Sequence, residues 1–144
     1  MSELISMECL DAKIRRILSS VRSIALVGAS PSPDRPSHQV MRFLQAKGYR
    51  VFPVNPGLAG QTLLGEMVYG SLGEIPAPID MVDLFRASAF VPPLVDDAIA
   101  VGAKVVWMQI GVHHDPAAAK AEAAGLDVVM DRCPKIEFAR LRLA

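Results

Sequence analysis

The chain has 144 residues, a length that suits one domain built around one hydrophobic core. Its 15 Lys and Arg residues balance 15 Asp and Glu residues, so no overall field attracts nucleic acid or an anionic membrane surface. Hydrophobic residues make up 51% of the chain, which excludes a disordered protein, and no apolar run is long enough to cross a bilayer. We therefore expect a single domain over residues 1–144.

The cysteines and the N-terminal residues bear on the cellular compartment. Glu3 and Glu8 place acidic side chains where a secretory signal peptide is basic and then apolar. Cys9 and Cys133 have neither a CxxC spacing nor the spacing of metal ligands. We expect a cytoplasmic protein with reduced thiols that binds neither membranes nor nucleic acid.

The first half of the chain alternates helix and strand patterns. Residues 1–20 place apolar side chains at helical spacing, and the apolar run 23–28 predicts a buried strand. Ser37 is predicted to cap the next helix, which Gly48 ends. We predict further strands over residues 50–54 and 66–69, and a single helical turn over residues 71–75.

The second half repeats this alternation. The run 79–85 predicts a strand, and Pro92 and Pro93 suit the first turn of a helix over residues 88–101. The remaining predicted elements are strands over 104–110 and 126–130, a helix over 115–124 that Asp115 caps and Pro116 opens, and a C-terminal helix over 134–144.

Strands that alternate with helices predict an α/β, Rossmann-like, doubly wound fold. We expect a mostly parallel sheet of five to six strands with helices on both faces. Ligands of such sheets bind outside the carboxyl ends of the strands, where the strand order reverses. The predicted strand ends carry polar, Gly and Pro residues in otherwise apolar segments: Gly28–Ser30, Asn55–Pro56, Phe85–Arg86 and Gln109–Gly111.

The first strand end has the composition of an anion-binding loop. Gly28 removes the side chain where the backbone must turn and approach a ligand closely. The start of the following helix offers unpaired N–H groups and the positive end of its dipole to a phosphate. Arg35 adds a fixed positive charge. We interpret residues 28–37 as a cradle for phosphate groups.

The dinucleotide fingerprint G-x-G-x-x-G is absent, because no further glycine follows Gly28 in this loop. Asn55 ends the second strand, where an NAD-binding protein has an Asp or Glu that bonds the ribose hydroxyls. An amide at this position also removes the charge that would repel a phosphate on the ribose. The pattern disfavours NAD and tolerates a phosphorylated ribose.

Five motifs resemble those of the small CoA-binding domain proteins, the stand-alone relatives of the CoA-binding domain of the succinyl-CoA synthetase α subunit. The resemblance covers the chain from about residue 18 onward. It is specific to this family because all five motifs occur in the same order along the chain. They are V-G-A-S-P at 27–31, V-N-P at 54–56, V-D-L-F-R at 82–86, W-M-Q-I-G at 107–111 and M-D-R-C-P-K-I-E at 130–137.

The resemblance implies a Rossmann-like fold that binds coenzyme A or an acyl-CoA, with no established reaction for the stand-alone members. The synthetase phosphohistidine belongs to a separate domain that this chain is too short to contain, which argues against a complete ligase. The resemblance assigns CoA contacts by position to Gly28, Ala29, Ser30, Pro31, Arg35, Pro36, Ser37, Asn55, Pro56, Phe85, Arg86, Ala87, Pro92, Pro93, Gln109, Ile110 and Gly111. Arg35 and Arg86 are the candidates for the 3′-phosphate.

The remaining reactive side chains do not form a recognisable catalytic set. His113 and His114 are adjacent, so their side chains diverge, and we expect loop residues rather than metal ligands. No nucleophile, base and orienting group stand together in the pattern, so no catalytic residue is assigned. Cys133 has two interpretations, a half-buried structural cysteine, which we favour, or a thiol that forms a mixed disulfide with CoA.

Three other functions stay open at this point. An NAD(P)-binding redox enzyme or regulatory module would bind a nicotinamide nucleotide in the same place. A component of an acyl-CoA ligase would need a separate partner chain that supplies the ATP-dependent half. A pure interaction protein would bind no nucleotide. A homo-oligomer is compatible with each of them.

Overall fold

The computed structural model describes the backbone of residues 2–143 and the side chains of residues 10–143. The predicted terminal helices also included residues 1 and 144, which lie outside the described residues. The elements in chain order are α1 (Ser2–Ser20), β1 (Ser23–Val27), α2 (Pro36–Ala46), β2 (Arg50–Val54), β3 (Thr62–Leu63), β4 (Glu66–Met67), β5 (Met81–Leu84), α3 (Val91–Ala100), β6 (Val105–Met108), α4 (Asp115–Ala123), β7 (Asp127–Val129) and α5 (Pro134–Arg140).

Five of the strands form one sheet in the order β2-β1-β5-β6-β7, and every neighbouring pair is parallel. In register, Leu26 of β1 lies beside Asp83 of β5, which lies beside Trp107 of β6. The sheet confirms the predicted Rossmann-like α/β fold.

Helices cover both faces of this sheet, as predicted. On one face, α1, α2 and α5 bury their apolar sides against alternate strand residues such as Ile24, Leu26 and Trp107. On the other face, α3 and α4 pack on the residues between them, such as Ala25 and Val106. Because both faces are covered, the strands are apolar along nearly their whole length.

Three local predictions were wrong. The strand predicted over residues 66–69 shortens to β4, which pairs antiparallel with β3 in a separate two-stranded sheet. Helix α2 begins one residue before Ser37, because Pro36 has the fixed φ of a first helical position and Arg35 occupies the cap position without a side-chain cap. Helix α4 is capped by His114, whose Nδ1 accepts from the N–H of Ala117, rather than by Asp115.

The strand order places a crevice at the carboxyl ends of β1 and β5. The chain passes from β1 outward to β2 and then returns past β1 to β5, so the strand order reverses between β1 and β5. The two helix layers diverge at such a point and leave room for a ligand above the carboxyl ends of the strands. In this chain those ends are the residues after Val27 and Leu84.

Candidate functional site

A cleft of about 670 Å³ lies at this reversal point, and we call it the first cleft. It brings together eleven of the residues that were predicted to contact CoA, and they come from the loop after β1, the start of α2 and the ends of β2 and β5. They are Gly28, Ala29, Ser30, Pro31, Arg35, Pro36, Ser37, Asn55, Pro56, Phe85 and Arg86. Four further residues line it and were not predicted: Val27, Ser32, Gly57 and Leu58.

Gly28 forms the floor of the first cleft with a backbone that only glycine adopts easily. Its φ is +94°, and a Cβ atom placed on it would lie 2.3 Å from the carbonyl oxygen of Phe85. The N–H groups of Gly28 and Ala29 both donate to the carbonyl oxygen of Val54, at 3.0 and 3.2 Å. Glycine is therefore required here by the neighbouring strand end, and these two N–H groups hold β2 rather than face the cleft.

The loop that follows is held by hydrogen bonds of its own. His38, buried on α2, places its Nδ1 2.9 Å from the carbonyl oxygen of Ser30, and Nδ1 must donate because a carbonyl only accepts. The Ser30 hydroxyl accepts from the N–H of Ser32. No hydrogen bond within the described residues uses the N–H of Ser30 or of Ser37. Those two donors, one on the loop and one in the first turn of α2, are free for an anion.

The charge of the first cleft is positive. Its lining contains Arg35 and Arg86 and no Asp or Glu. Neither guanidinium forms an ion pair with a described residue, and Arg86 lies over the ring of Phe90 at 4.4 Å. Cations without carboxylate partners beside helix N–H groups make a site that suits phosphate.

Asn55 is tied into the wall of the first cleft. Its Nδ2 donates to the carbonyl oxygen of Ala29 at 2.8 Å, and its Oδ1 accepts from the N–H of Gly57 at 2.8 Å. The side chain thus joins the loop after β1 to the turn after β2. A neutral amide is required for this bridge, because a carboxylate has no N–H to offer Ala29.

Gln109 and Ile110, at the end of β6, line a second cleft of about 600 Å³ instead of the first. The two clefts meet at Pro36, which lines both. The residues that complete the second cleft come from α2, from α5 and from the cap residue of α5: Gln39, Val40, Cys133, Lys135, Ile136 and Ala139.

Four nominated residues line neither cleft. Pro92 and Pro93 lie in the first turn of α3, as predicted for the helix, and Ala87 precedes that helix as an exposed residue. Gly111 has a φ of +83°, and its N–H donates to Asp131 Oδ1 at 2.7 Å, so it orders the turn after β6. Their assignment to the CoA site stays a prediction.

Two buried polar side chains have side-chain oxygens without a hydrogen-bond partner among the described residues, Asp83 and Gln109, and only Gln109 was predicted as a site residue. Asp83 is fully buried on β5 without a hydrogen-bond partner among the described residues, and burial raises its pKa well above the ordinary value. Gln109 is 7% exposed, and its Oε1 also lacks a partner within that part of the chain. Both follow apolar strand residues, and the polar residue inside an apolar run is the signal that marks them.

The remaining titratable and nucleophilic side chains do not form a metal site among the described residues. No group of three or more His, Cys, Asp or Glu residues stands close enough there to hold a metal ion. His113 pairs with Asp115 at 3.3 Å, and Cys133 is a buried free thiol at the N-terminal cap of α5. In the described residues no helix is long and apolar enough to cross a membrane. A cytoplasmic location stays a prediction.

Comparison with known proteins adds a family and several relatives. The model of the family described as "CoA binding domain" matches residues 22–139. The Bacillus subtilis protein YneT, described as uncharacterized, is 38% identical over 128 residues, which are 89% of this chain and 93% of that protein. A solved structure described as a hypothetical protein from Pyrococcus horikoshii is 44% identical, with a TM-score of 0.87 and 92% of each chain covered.

A longer relative is an enzyme subunit. The α subunit of an ADP-forming acetate–CoA ligase from Pyrococcus furiosus is 32% identical over 93 residues. The match covers 62% of this chain but only 20% of the ligase subunit. The chain is thus similar to one part of a larger protein whose other parts it does not match.

Proposed function

The chain belongs to the CoA binding domain family, and from that premise we propose that it binds coenzyme A or an acyl-CoA in the first cleft, without catalysing a reaction of its own. The observation that carries the proposal is the pairing of two free cations with two free backbone donors. Arg35 and Arg86 have no carboxylate partner among the described residues, and the N–H groups of Ser30 and Ser37 are free to donate to a negatively charged group of a ligand.

The chemistry of CoA suits this arrangement. Its head carries a pyrophosphate and a 3′-phosphate, which need N–H donors and guanidinium groups. A ligand with several phosphates gains most where no acidic side chain competes for the cations, and the lining of the first cleft contains none. The Pro-rich rim from Pro31 to Pro36 leaves few unpaired backbone donors elsewhere in the loop.

Asn55 supports CoA over NAD as the ligand. An NAD site places a carboxylate at the end of the second strand to accept from the ribose hydroxyls. Here the position carries an amide whose oxygen and nitrogen already bond Gly57 and Ala29. A phosphorylated ribose meets no negative charge at this wall, whereas an NAD ribose finds no carboxylate.

A role as part of an acyl-CoA ligase is the second candidate. The similarity to the ligase α subunit favours it, and the match to only 20% of that subunit means that the remaining parts would come from a separate partner chain. The two candidates share the CoA site and differ in whether a partner is needed for turnover.

Calorimetric titration with CoA, dephospho-CoA, NAD, NADP and ATP tests the proposal. We expect CoA to bind most tightly and dephospho-CoA about tenfold or more weakly, because one charge-assisted phosphate contact is lost. Tighter binding of NAD than of any CoA species would overturn the proposal. Formation of acyl-CoA from acid, ATP and CoA by the purified chain alone would overturn the absence of catalysis.

A further inference from the structure

The second cleft is an apolar recess whose rim is hydrophobic and exposed to solvent. Four large hydrophobic side chains are more than half exposed among the described residues, and two of them, Ile110 and Ile136, flank this cleft. Val40 and Cys133 form its buried wall. Solvent-exposed isoleucines on both sides of one recess indicate a surface that an apolar ligand group covers.

A buried polar group inside the same recess calls for a specific partner. Gln109 lines the second cleft, is 7% exposed, and its Oε1 has no hydrogen-bond partner among the described residues. A buried acceptor without a donor is costly, so a ligand that brings an N–H group to it gains affinity. The occupant is therefore a mostly apolar molecule that carries at least one amide-like donor.

The position of the second cleft connects it to the proposed CoA site. It meets the first cleft at Pro36, and Gln109 follows β6, the strand next to β5, whose end forms the first cleft. A molecule whose phosphates occupy the first cleft thus reaches the second along the carboxyl edge of the sheet. The pantetheine arm of CoA has two amide N–H groups and ends in the sulfur that carries the acyl group.

We infer that the second cleft is an acyl pocket: Gln109 Oε1 accepts from an amide N–H of the pantetheine arm, and an uncharged acyl chain lies between α2 and α5. The inference rests on the proposed function and adds a ligand class to it, namely CoA thioesters of apolar acids. Gln39 of α2 and Lys135 of α5 are the polar side chains that these two helices contribute to the lining of the second cleft.

The test compares CoA with hexanoyl-CoA on the wild-type protein by calorimetry. Each methylene that leaves water strengthens binding by roughly two- to fourfold, so hexanoyl-CoA is expected to bind at least about tenfold more tightly than CoA. Equal affinities would overturn the acyl pocket and leave CoA binding intact. Failure of both ligands to bind would overturn the proposed function together with the acyl pocket.

Two substitutions test whether the acyl chain lies in the second cleft. Ala139→Phe fills the recess from an exposed position of α5, so the ratio of the two dissociation constants is expected to fall to near one. Ala123→Phe, at an exposed position of α4 outside the clefts described above, is the matched control and keeps the wild-type ratio. A ratio that Ala139→Phe leaves unchanged would place the acyl chain elsewhere and overturn the inference.

Gln109→Leu tests the polar contact separately. Loss of the acceptor is expected to weaken CoA and hexanoyl-CoA by the same factor, about three- to tenfold, because both carry the pantetheine amides. Unchanged affinity for both ligands would overturn the role of Gln109.

Sedimentation tests whether a second copy of the protein covers Ile110 and Ile136 instead. A dimer that Ile136→Asp dissociates would overturn the acyl pocket in favour of a protein interface.

Discussion

The backbone of Gly28 passes so close to Phe85 that no side chain fits between them. A Cβ atom on Gly28 would lie 2.3 Å from the Phe85 carbonyl oxygen and 3.1 Å from its Cβ atom. This contact joins the ends of β1 and β5, the two strands between which the strand order reverses. The floor of the first cleft is thus formed where the ends of these two strands meet.

Gly28→Ala is expected to destabilise the protein by about 2 to 4 kcal/mol, because the methyl group clashes with backbone and the positive φ adds strain. Gly48→Ala is the matched control, since Gly48 has a φ of +95° and open space around the added atom. We expect about 1 to 2 kcal/mol there, from the φ alone. Urea unfolding measures both, and equal losses would show that the approach to Phe85 has no energetic consequence.

Asn55→Asp is expected to weaken CoA binding by about tenfold and to destabilise the fold by about 1 to 3 kcal/mol. The carboxylate cannot donate to the Ala29 carbonyl oxygen, and its charge faces the phosphates of the ligand. Gln61→Glu makes the same charge change at an exposed residue outside the first cleft and serves as the control. Calorimetry and urea unfolding report the two effects, and a gain in CoA affinity would contradict the placement of the phosphates.

The ends of the strands were predictable from the sequence because each apolar run stops at a residue that breaks or charges it. Gly28 and Asn55 follow β1 and β2 directly, Arg86 lies two residues after the end of β5, and parallel strands bring such ends to one edge. The residues of the first cleft were therefore found by local pattern and by the resemblance together.

The hydrogen bonds inside the site were not predictable, because they join segments distant in sequence. Nothing near Gly28 indicates that its N–H bonds the Val54 carbonyl oxygen, which depends on the register of β1 with β2. The second cleft was missed for the same reason. It exists only because residues 36–40 of α2 lie beside residues 133–139, about one hundred positions later in the chain.

Arg35→Ala and Arg86→Ala identify the cation that contacts the 3′-phosphate. Each is expected to weaken CoA by about tenfold, since one guanidinium–phosphate contact is lost. The variant that removes the 3′-phosphate contact is expected to bind dephospho-CoA as tightly as the wild type does. The other variant is expected to bind CoA and dephospho-CoA more weakly by the same factor. Arg42→Ala, an exposed cation of α2 outside the first cleft, is the control. Unchanged CoA binding in both variants would remove the cationic basis of the site.

Asp83→Asn is expected to make the protein more stable at neutral pH than the wild type, by a margin that grows with pH. Asp83 is fully buried on β5 without a partner among the described residues, and desolvation raises its pKa well above the ordinary value of 3.8. Below that value both the folded and the unfolded chain carry the proton. Above it the unfolded chain releases the proton while the folded chain keeps it.

The stability of the wild type therefore falls as the pH rises from about 4, by up to about 1.4 kcal/mol per pH unit, until the pH passes the raised pKa of Asp83. The asparagine variant has the same shape and no proton to release, so it lacks this loss. Urea unfolding at pH 5 and pH 7.5 is expected to show a stability difference between variant and wild type that is larger at the higher pH. Asp97→Asn, at an exposed site of α3, controls for the loss of a negative charge. Parallel pH profiles for the wild type and Asp83→Asn would mean that the carboxyl group finds a stabilising partner in the folded protein, because only such a partner returns its pKa to the ordinary range.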